Sequence, residues 1–217
     1  MRIICDFDGT VTERDTNSHM ARTFAPETFA ALEGQLATRE LTVRDVLSAE
    51  FTGITAPLEE VVATALEIPV RPGFAELLDL AAARGAEFVL LSSGFRQLIE
   101  PILEREGLLG AVPLIANDIE LDGVSGTITW RELPYCELCG EACKRVDMAA
   151  LRAGHLHDGR EAEQVVFIGD GFSDRCGADV ADRIFARDSL AHWLDEQQIA
   201  WEAWSDFHDI ARALGWA

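Results

Sequence analysis

The 217 residues carry 18 Lys and Arg against 38 Asp and Glu, a formal charge of −20, with acids spread along the whole chain. Such a surface repels the phosphates of nucleic acid and of anionic lipid, so neither is an expected partner. Nearly half the residues are apolar, enough for a packed core, yet no apolar run nears the roughly 18–20 residues of a membrane span. The length fits one large domain or a core with a smaller insertion. Acid at Asp6, ahead of any long apolar stretch, speaks against an export signal, and five cysteines do not suggest a disulfide framework. A cytoplasmic protein with reduced thiols, monomer or homodimer, is expected.

In chain order, Ile3-Ile4-Cys5 delivers Asp6 and Asp8 into a Gly9-Thr10 turn. Alternate side chains of an extended strand share a face, so both acids point one way and Phe7 enters the core. Two carboxylates that close repel unless a cation or a proton joins them, which predicts metal binding or acid–base chemistry. From Asp15 to about Val70 the spacing turns helical: His19, Met20 and Phe24, then Phe29, Leu32 and Leu36. Thr42 and Asp45 form an imperfect capping signal, and Pro57 opens a further helix. No strand is predicted there. Residues 15–70 read as a small helical insertion into a core of 1–14 and 71–217.

After Pro72-Gly73 a helix is predicted to about Arg84, then a short buried strand, Phe88 to Leu91, ending in Ser92-Ser93-Gly94. The next helix runs to about Glu106, with Pro101 predicting a kink or a late start. Val112 to Ala116 is a third apolar run, and Ile119 to Trp130 alternates as a hairpin. A helix from Lys144 to Gly154, a polar loop, the strand Val165 to Ile168, a short helix at about 174–180 and a last strand, Arg183 to Ala186, follow. This alternation predicts an α/β fold whose parallel sheet is covered on both faces. In such sheets sites lie at the carboxyl ends of the strands, where Asp6/Asp8, Ser92 and Asp170/Asp174 all fall.

Each cluster has a bland reading alone: a surface turn for Asp6-Phe7-Asp8-Gly9-Thr10, a helix cap for Asp174, a solvated side chain for Lys144. Taken in order, Asp-x-Asp-Gly-Thr, Leu-Leu-Ser-Ser-Gly, a lysine and Gly-Asp-Gly-x-x-Asp resemble the four motifs of the haloacid dehalogenase superfamily. The resemblance spans Asp6 to Asp174 and implies a Rossmann-like core, with the insertion as a small cap of the phosphoserine-phosphatase-like kind. It also implies a Mg2+-dependent phosphomonoesterase acting on a small phosphorylated metabolite. Asp6 would be the nucleophile that forms an aspartyl-phosphate, and Asp8 the acid and then base. Asp6, Asp8 (through its carbonyl) and Asp170 would hold Mg2+, with Asp174 in support. Ser92, Ser93, Gly94, Lys144 and the Gly9-Thr10 turn would hold the phosphoryl oxygens. A dianionic phosphate meeting a carboxylate needs that cation, ammonium and set of aimed N–H groups.

Three further segments, Cys139 to Lys144, Ala181 to Asp188 and Phe207 to Ile210, look like the methionine-salvage phosphatases. Those enzymes act on 2-hydroxy-3-keto-5-methylthiopentenyl-1-phosphate and release the enediol. Gly9 and Ser93 depart from the common phosphoserine phosphatase pattern in the same direction, and Ser173 stands where Asn is frequent. Phosphoserine or another small phosphomonoester is the alternative substrate, and a non-catalytic binding module on the same fold is the alternative of another class. Asp15, Asn17, His19 and Arg96 are the expected specificity residues. Cys136, Cys139 and Cys143 are spaced closely enough for zinc, with His155 or His157 as a fourth ligand, but a reduced-thiol loop is the favoured reading. Cys5 and Cys176 read as small buried residues. The tail from Trp193 to Trp216 is expected to pack on the sheet's flank, with a dimer contact as the alternative.

Overall fold

The first strand, β1 (Arg2–Cys5), is buried along its whole length. A strand with no polar face belongs in the middle of a covered sheet, and that is where it lies in the computed structural model, which describes residues 1–32, 34–36, 38, 40–155 and 159–216. Four helices follow it: α1 (Thr16–Phe24), α2 (Pro26–Leu32), α3 (Val43–Thr52) and α4 (Leu58–Ala65). Then come α5 (Phe74–Ala83), β2 (Glu87–Phe95), α6 (Arg96–Arg105) and the hairpin β3 (Leu114–Leu121) and β4 (Gly126–Thr129). The chain continues through α7 (Lys144–Arg152), β5 (Val165–Gly169), a 3₁₀ turn (Phe172–Asp174), α8 (Arg175–Ala178) and β6 (Arg183–Ala186). It closes with α9 (Asp188–Glu196), β7 (Glu202–Ala203) and α10 (Phe207–Ala213).

The strands form one sheet in the order β4-β3-β2-β1-β5-β6-β7, parallel except for the β3–β4 hairpin. Alternation along each strand sorts its side chains between two layers. Ile3, Cys5, Leu90, Val166 and Ile168 join α5, α6 and α10 on one face, while Ile4, Val89, Leu91, Val165 and Phe167 meet α7, α8 and α9 on the other. The tail therefore packs on the sheet, but on both faces: Leu194 lies in one layer, and Phe207 and Ile210 in the other. Two-residue β7 joins them as an edge strand that the sequence reading did not anticipate.

Two further expectations are corrected. The β2 strand does not end at Leu91 but carries Ser92-Ser93-Gly94 to Phe95, because pairing with β3 resumes at Phe95↔Asn117 after a register shift. Helix α6 starts at once, at Arg96, and holds Pro101 in its interior, so the late start is not taken.

The helices α1–α4 leave and rejoin the sheet side by side. Thr12 bridges Val70, Glu13 N–H donates to the Pro69 carbonyl at 2.9 Å and Arg71 N–H to the Val11 carbonyl at 2.8 Å. The Thr42–Asp45 signal is a full capping box, with reciprocal bonds of 3.0 Å at the start of α3. That helix presents Phe51, fully buried, to Phe95 at the end of β2, ring centroids 4.5 Å apart. No helix among the described residues is long and apolar enough to cross a membrane.

Truncating Phe51 to Ala should remove this contact and leave a cavity, at a cost of about 3–5 kcal/mol. Urea unfolding is expected to show a lower midpoint at an unchanged slope.

Candidate active site

Register decides which residues meet. Cys5 lies opposite Leu90 of β2 on one side and Ile168 of β5 on the other, so Asp6 and Asp170, just past their strands, and Ser92, within β2, fall within two residues of one line. The Asp6 N–H extends the ladder to the Ile168 carbonyl at 2.9 Å. One oxygen each from Asp6, Asp170 and Asp174 lie within 4.8 Å of one another. Asp6, Asp8 and Asp174 are buried.

The turn after Asp8 is shaped by its neighbours. Gly9 has φ +85°, and a Cβ there would stand 2.5 Å from Asp170 Oδ2, so only glycine lets the two motifs close on each other. The Gly9 N–H donates to Thr12 Oγ1 at 3.0 Å and the Thr10 hydroxyl to Asp170 Oδ1 at 2.7 Å. The Gly9 N–H and the Thr10 hydroxyl thus build the turn in this structure. Beneath it lies Arg71, buried and not foreseen from the sequence. Its guanidinium donates to the carbonyls of Gly9 and Thr10 at 3.0 Å and of Thr12 at 3.3 Å. The available signal was its place, the first cation after the insertion rejoins the core.

Ser92 is fully buried and donates to Asp8 Oδ2 at 2.7 Å, while the Gly94 N–H donates to Ser92 Oγ at 2.7 Å. A side chain at Gly94 would collide with Asn17 and Asp8, its Cβ 2.6 Å from Asn17 Nδ2. Ser93 alone of this motif lines the open cavity. Asn117, also not anticipated, fixes it by donating to the Ser93 carbonyl at 2.8 Å.

Lys144, the first residue of α7, is buried with its ammonium between Asp6 Oδ1 and Asp174 Oδ1, 2.7 Å from the latter. The other Asp174 oxygen accepts the N–H groups of Asp170 at 3.0 Å and Gly171 at 2.9 Å. Asp174 therefore holds the lysine and the Asp170 turn. Helix α7 is anchored by Asp147, fully buried, in a two-bond pair with Arg131 at 2.6 and 3.0 Å.

Burial and crowding set the protonation. Asp170 is pushed up to about 7 by desolvation, then by the Asp174 and Asp15 charges. Burial likewise raises Asp8, against the hydrogen bonds of Ser92, Thr16 and Asn17. Desolvation and the Asp174 charge raise Asp6, opposed by Lys144. For Lys144 burial acts downward, but Asp174 and Asp6 outweigh it and keep it an ammonium. The acids thus exceed the cations. The donor set is all hard carboxylate oxygen, which fits Mg2+, with Asp6 and Asp170 as the holders that keep a free oxygen.

Above the acids lies a cavity of about 250 Å³. Its floor is Asp6, Asp8, Asp170 and Ser93, and its far wall is apolar, built by Phe29, Leu32, Val43, Val46 and Leu47 of the inserted helices with Leu36. No Lys or Arg is among its described lining residues. Asp15, the N-cap of α1, and Asn17 line it as expected, and Asn17 Oδ1 is buried with no partner. His19 and Arg96 do not line it; Arg96 instead pairs with Glu100 at 3.1 Å. The residue sequence reasoning missed is Glu50, in α3: it lines the cavity, and desolvation followed by the Asp15 charge pushes it up to about 7.

Cys5 is buried as expected, but Cys176 is not: it is half-buried and faces the thiols of Cys136, Cys139 and Cys143. His155 is exposed and outside that group, and His157 lies outside the described residues.

A family model for haloacid dehalogenase-like hydrolases matches residues 3–179. The 2-hydroxy-3-keto-5-methylthiopentenyl-1-phosphate phosphatase of Brevibacillus brevis is 32% identical over 98% of this chain and 94% of its own. The enzyme of that name from Microcystis aeruginosa is 29% identical over 98% and 96%. Among solved structures, a phospho-aspartyl intermediate analogue of phosphoserine phosphatase aligns with a TM-score of 0.74 at 20% identity, over 98% of this chain and 97% of the other.

Since Asp170 must lose its proton to meet a cation, Mg2+ should bind more tightly as pH rises towards about 7. Titration calorimetry in two buffers of different ionisation enthalpy is expected to show proton release in the acidic range that disappears well above that pH. In the metal-free protein the sign is opposite for stability. A folded-state pKa of about 7, above the ordinary 3.8, makes stability fall as pH rises through that interval.

Proposed function

The chain belongs to the haloacid dehalogenase-like hydrolases and is a phosphoric monoester hydrolase, and from that premise we propose that it dephosphorylates 2-hydroxy-3-keto-5-methylthiopentenyl-1-phosphate through an aspartyl-phosphate on Asp6. The observation that carries the substrate is the cavity itself, with acids at its floor, an apolar wall opposite and no described cation between. A methylthio-alkyl tail would bury against Phe29, Leu36, Val46 and Leu47, whereas a phosphoserine carboxylate would find no positive partner among the described lining residues. The relatives that carry this substrate's name cover the whole chain at about 30% identity.

In this reading residues 15–70 are a cap over a core of 1–14 and 71–217, and the enzyme works in the cytoplasm. An Asp6 oxygen attacks phosphorus as the ester bond breaks, and Asp8, its pKa raised by burial, gives its proton to the leaving oxygen. Asp8, now ionised, takes a proton from the water that attacks the aspartyl-phosphate, and phosphate leaves. Ser92, Thr16 and Asn17 hold the Asp8 carboxyl for both transfers. Mg2+, held by Asp6, Asp170 and the Asp8 carbonyl, would supply the charge that neutralises the phosphoryl oxygens. Lys144 would supply a second positive charge, and Ser93 a donor.

Phosphate release is expected to be fastest on the methylthiopentenyl ester and to fall away on phosphoserine in parallel assays; equal kcat/KM on the two sinks the substrate assignment. Asp6→Asn should show no turnover above background. Asp8→Asn should lose about 10²–10⁴-fold in kcat, because both the departure of the leaving oxygen and the hydrolysis of the acyl phosphate lose their proton carrier.

A second expectation concerns Glu50. Above about pH 7 it ionises and places a negative charge beside an anionic substrate. KM should rise through that pH, and Glu50→Gln, which keeps the neutral form, should flatten the rise.

A further inference from the structure

The catalytic reading leaves one cluster of chemically competent side chains unused. Cys136, Cys139 and Cys143 lie on the loop that leads into α7, and Cys176 lies in α8, over thirty residues further on. Their four Sγ atoms all fall within 4.8 Å of one another, and Cys136 Sγ stands 3.7 Å from Cys176 Sγ. A tetrahedral thiolate site with metal–sulfur bonds of about 2.3 Å has sulfur–sulfur edges of about 3.8 Å. The Cys136–Cys176 edge matches that value, and the other edges are all within 4.8 Å. It does not match a disulfide, whose sulfurs are bonded at about 2.0 Å, and all five cysteines are free.

The loop is built to turn sulfurs inward. Cys139 is followed by Gly140 at φ +74°, and the Gly140 N–H donates to the Cys136 carbonyl at 2.8 Å, closing a tight turn between the first two thiols. The Cys136 N–H donates to the Glu141 carbonyl at 2.7 Å, which ties the start of the loop to the stretch before Cys143.

We propose that Cys136, Cys139, Cys143 and Cys176 form a structural zinc site, separate from the carboxylate site, that fixes the loop before Lys144 to the helix after Asp174. Ligand softness separates the two: four sulfurs select Zn2+, and the carboxylates at the sheet edge suit Mg2+. Four protein ligands close the coordination shell, so the ion offers no open position for a substrate or water and serves as a clamp. The clamp lies next to the chemistry in sequence. Cys143 precedes Lys144 and Cys176 follows Asp174 by two residues, while the Lys144 ammonium sits 2.7 Å from Asp174. This proposal does not rest on the substrate or on the aspartyl-phosphate.

The test uses the full chain, purified under reducing conditions without chelator from zinc-supplemented culture. Plasma mass spectrometry is expected to find one zinc per chain that survives dialysis against excess Mg2+. Exchange with Co2+ should give the intense thiolate-to-cobalt charge-transfer absorption and the visible bands of a tetrahedral site. Cys176→Ser should lose the zinc, and Asp170→Asn should keep it. The cobalt spectrum of the unmutated protein reads the ligands directly, so it decides even where a cysteine variant fails to fold. Zinc absent from the reduced protein together with no charge-transfer band on adding Co2+ overturns the proposal. So does zinc retained in full by Cys176→Ser, which would place the ion on the carboxylates.

Discussion

Crowded negative charge at one edge of the sheet is the constraint from which the rest of the structure follows. Asp6 and Asp174 meet one buried ammonium, Lys144, while Asp8 and Asp170 beside them are held by hydroxyls. Two like charges about 4 Å apart repel by about 4 kcal/mol at an effective dielectric of 20, and a domain has only about 5–15 kcal/mol of net stability. Several such pairs cannot stand unneutralised. The chain answers with fixed donors at every acid: Thr10 on Asp170, Ser92 on Asp8, and two backbone N–H groups with Lys144 on Asp174. What these leave unbalanced is the deficit that a divalent cation and the transferring phosphoryl group are suited to resolve together.

The inserted helices solve a different problem. An acid-lined edge open to water would favour no particular organic group, because every polar substrate could exchange with solvent there. Helices α2 and α3 bring an apolar wall over it, tied down by Phe51 against Phe95 and by the capping box of α3. In the proposed function, selectivity for the leaving group falls to one segment and the chemistry to another, and Asp15, Asn17 and Glu50 line the cavity between them.

The motifs that could be read from the sequence are those whose meaning is local. Asp6, Asp8, Ser92, Asp170 and Asp174 each follow an apolar run, and a parallel sheet brings the ends of such runs together whatever the rest of the chain does. Lys144 was legible only through family resemblance, since nothing around it marks a buried lysine. Residues whose role depends on a distant partner stayed hidden. Arg71 matters because the Gly9 and Thr10 carbonyls lie above it, Glu50 because α3 turns it inwards, and Cys176 because α8 packs beside the Cys136 loop. The strand β2 was cut short because Ser-Ser-Gly has the composition of a turn, and its pairing with Asn117 lies more than twenty residues away.

The paired departure and return of α1–α4 also bears on how such proteins diversify. Thr12 and Val70 are already bridged, and Arg71, on the returning chain, grips the departing chain at Gly9 and Thr12. The two ends of the insertion are therefore held at a fixed separation by the core itself, independently of what lies between them. Loop-closure entropy grows only by about 0.6 kcal/mol for each doubling of an intervening length. The core could accept a longer, shorter or wholly different module at this point with little penalty to its own folding. Leaving-group preference is in that sense a replaceable part, mounted on a junction that the catalytic turn shares and keeps rigid.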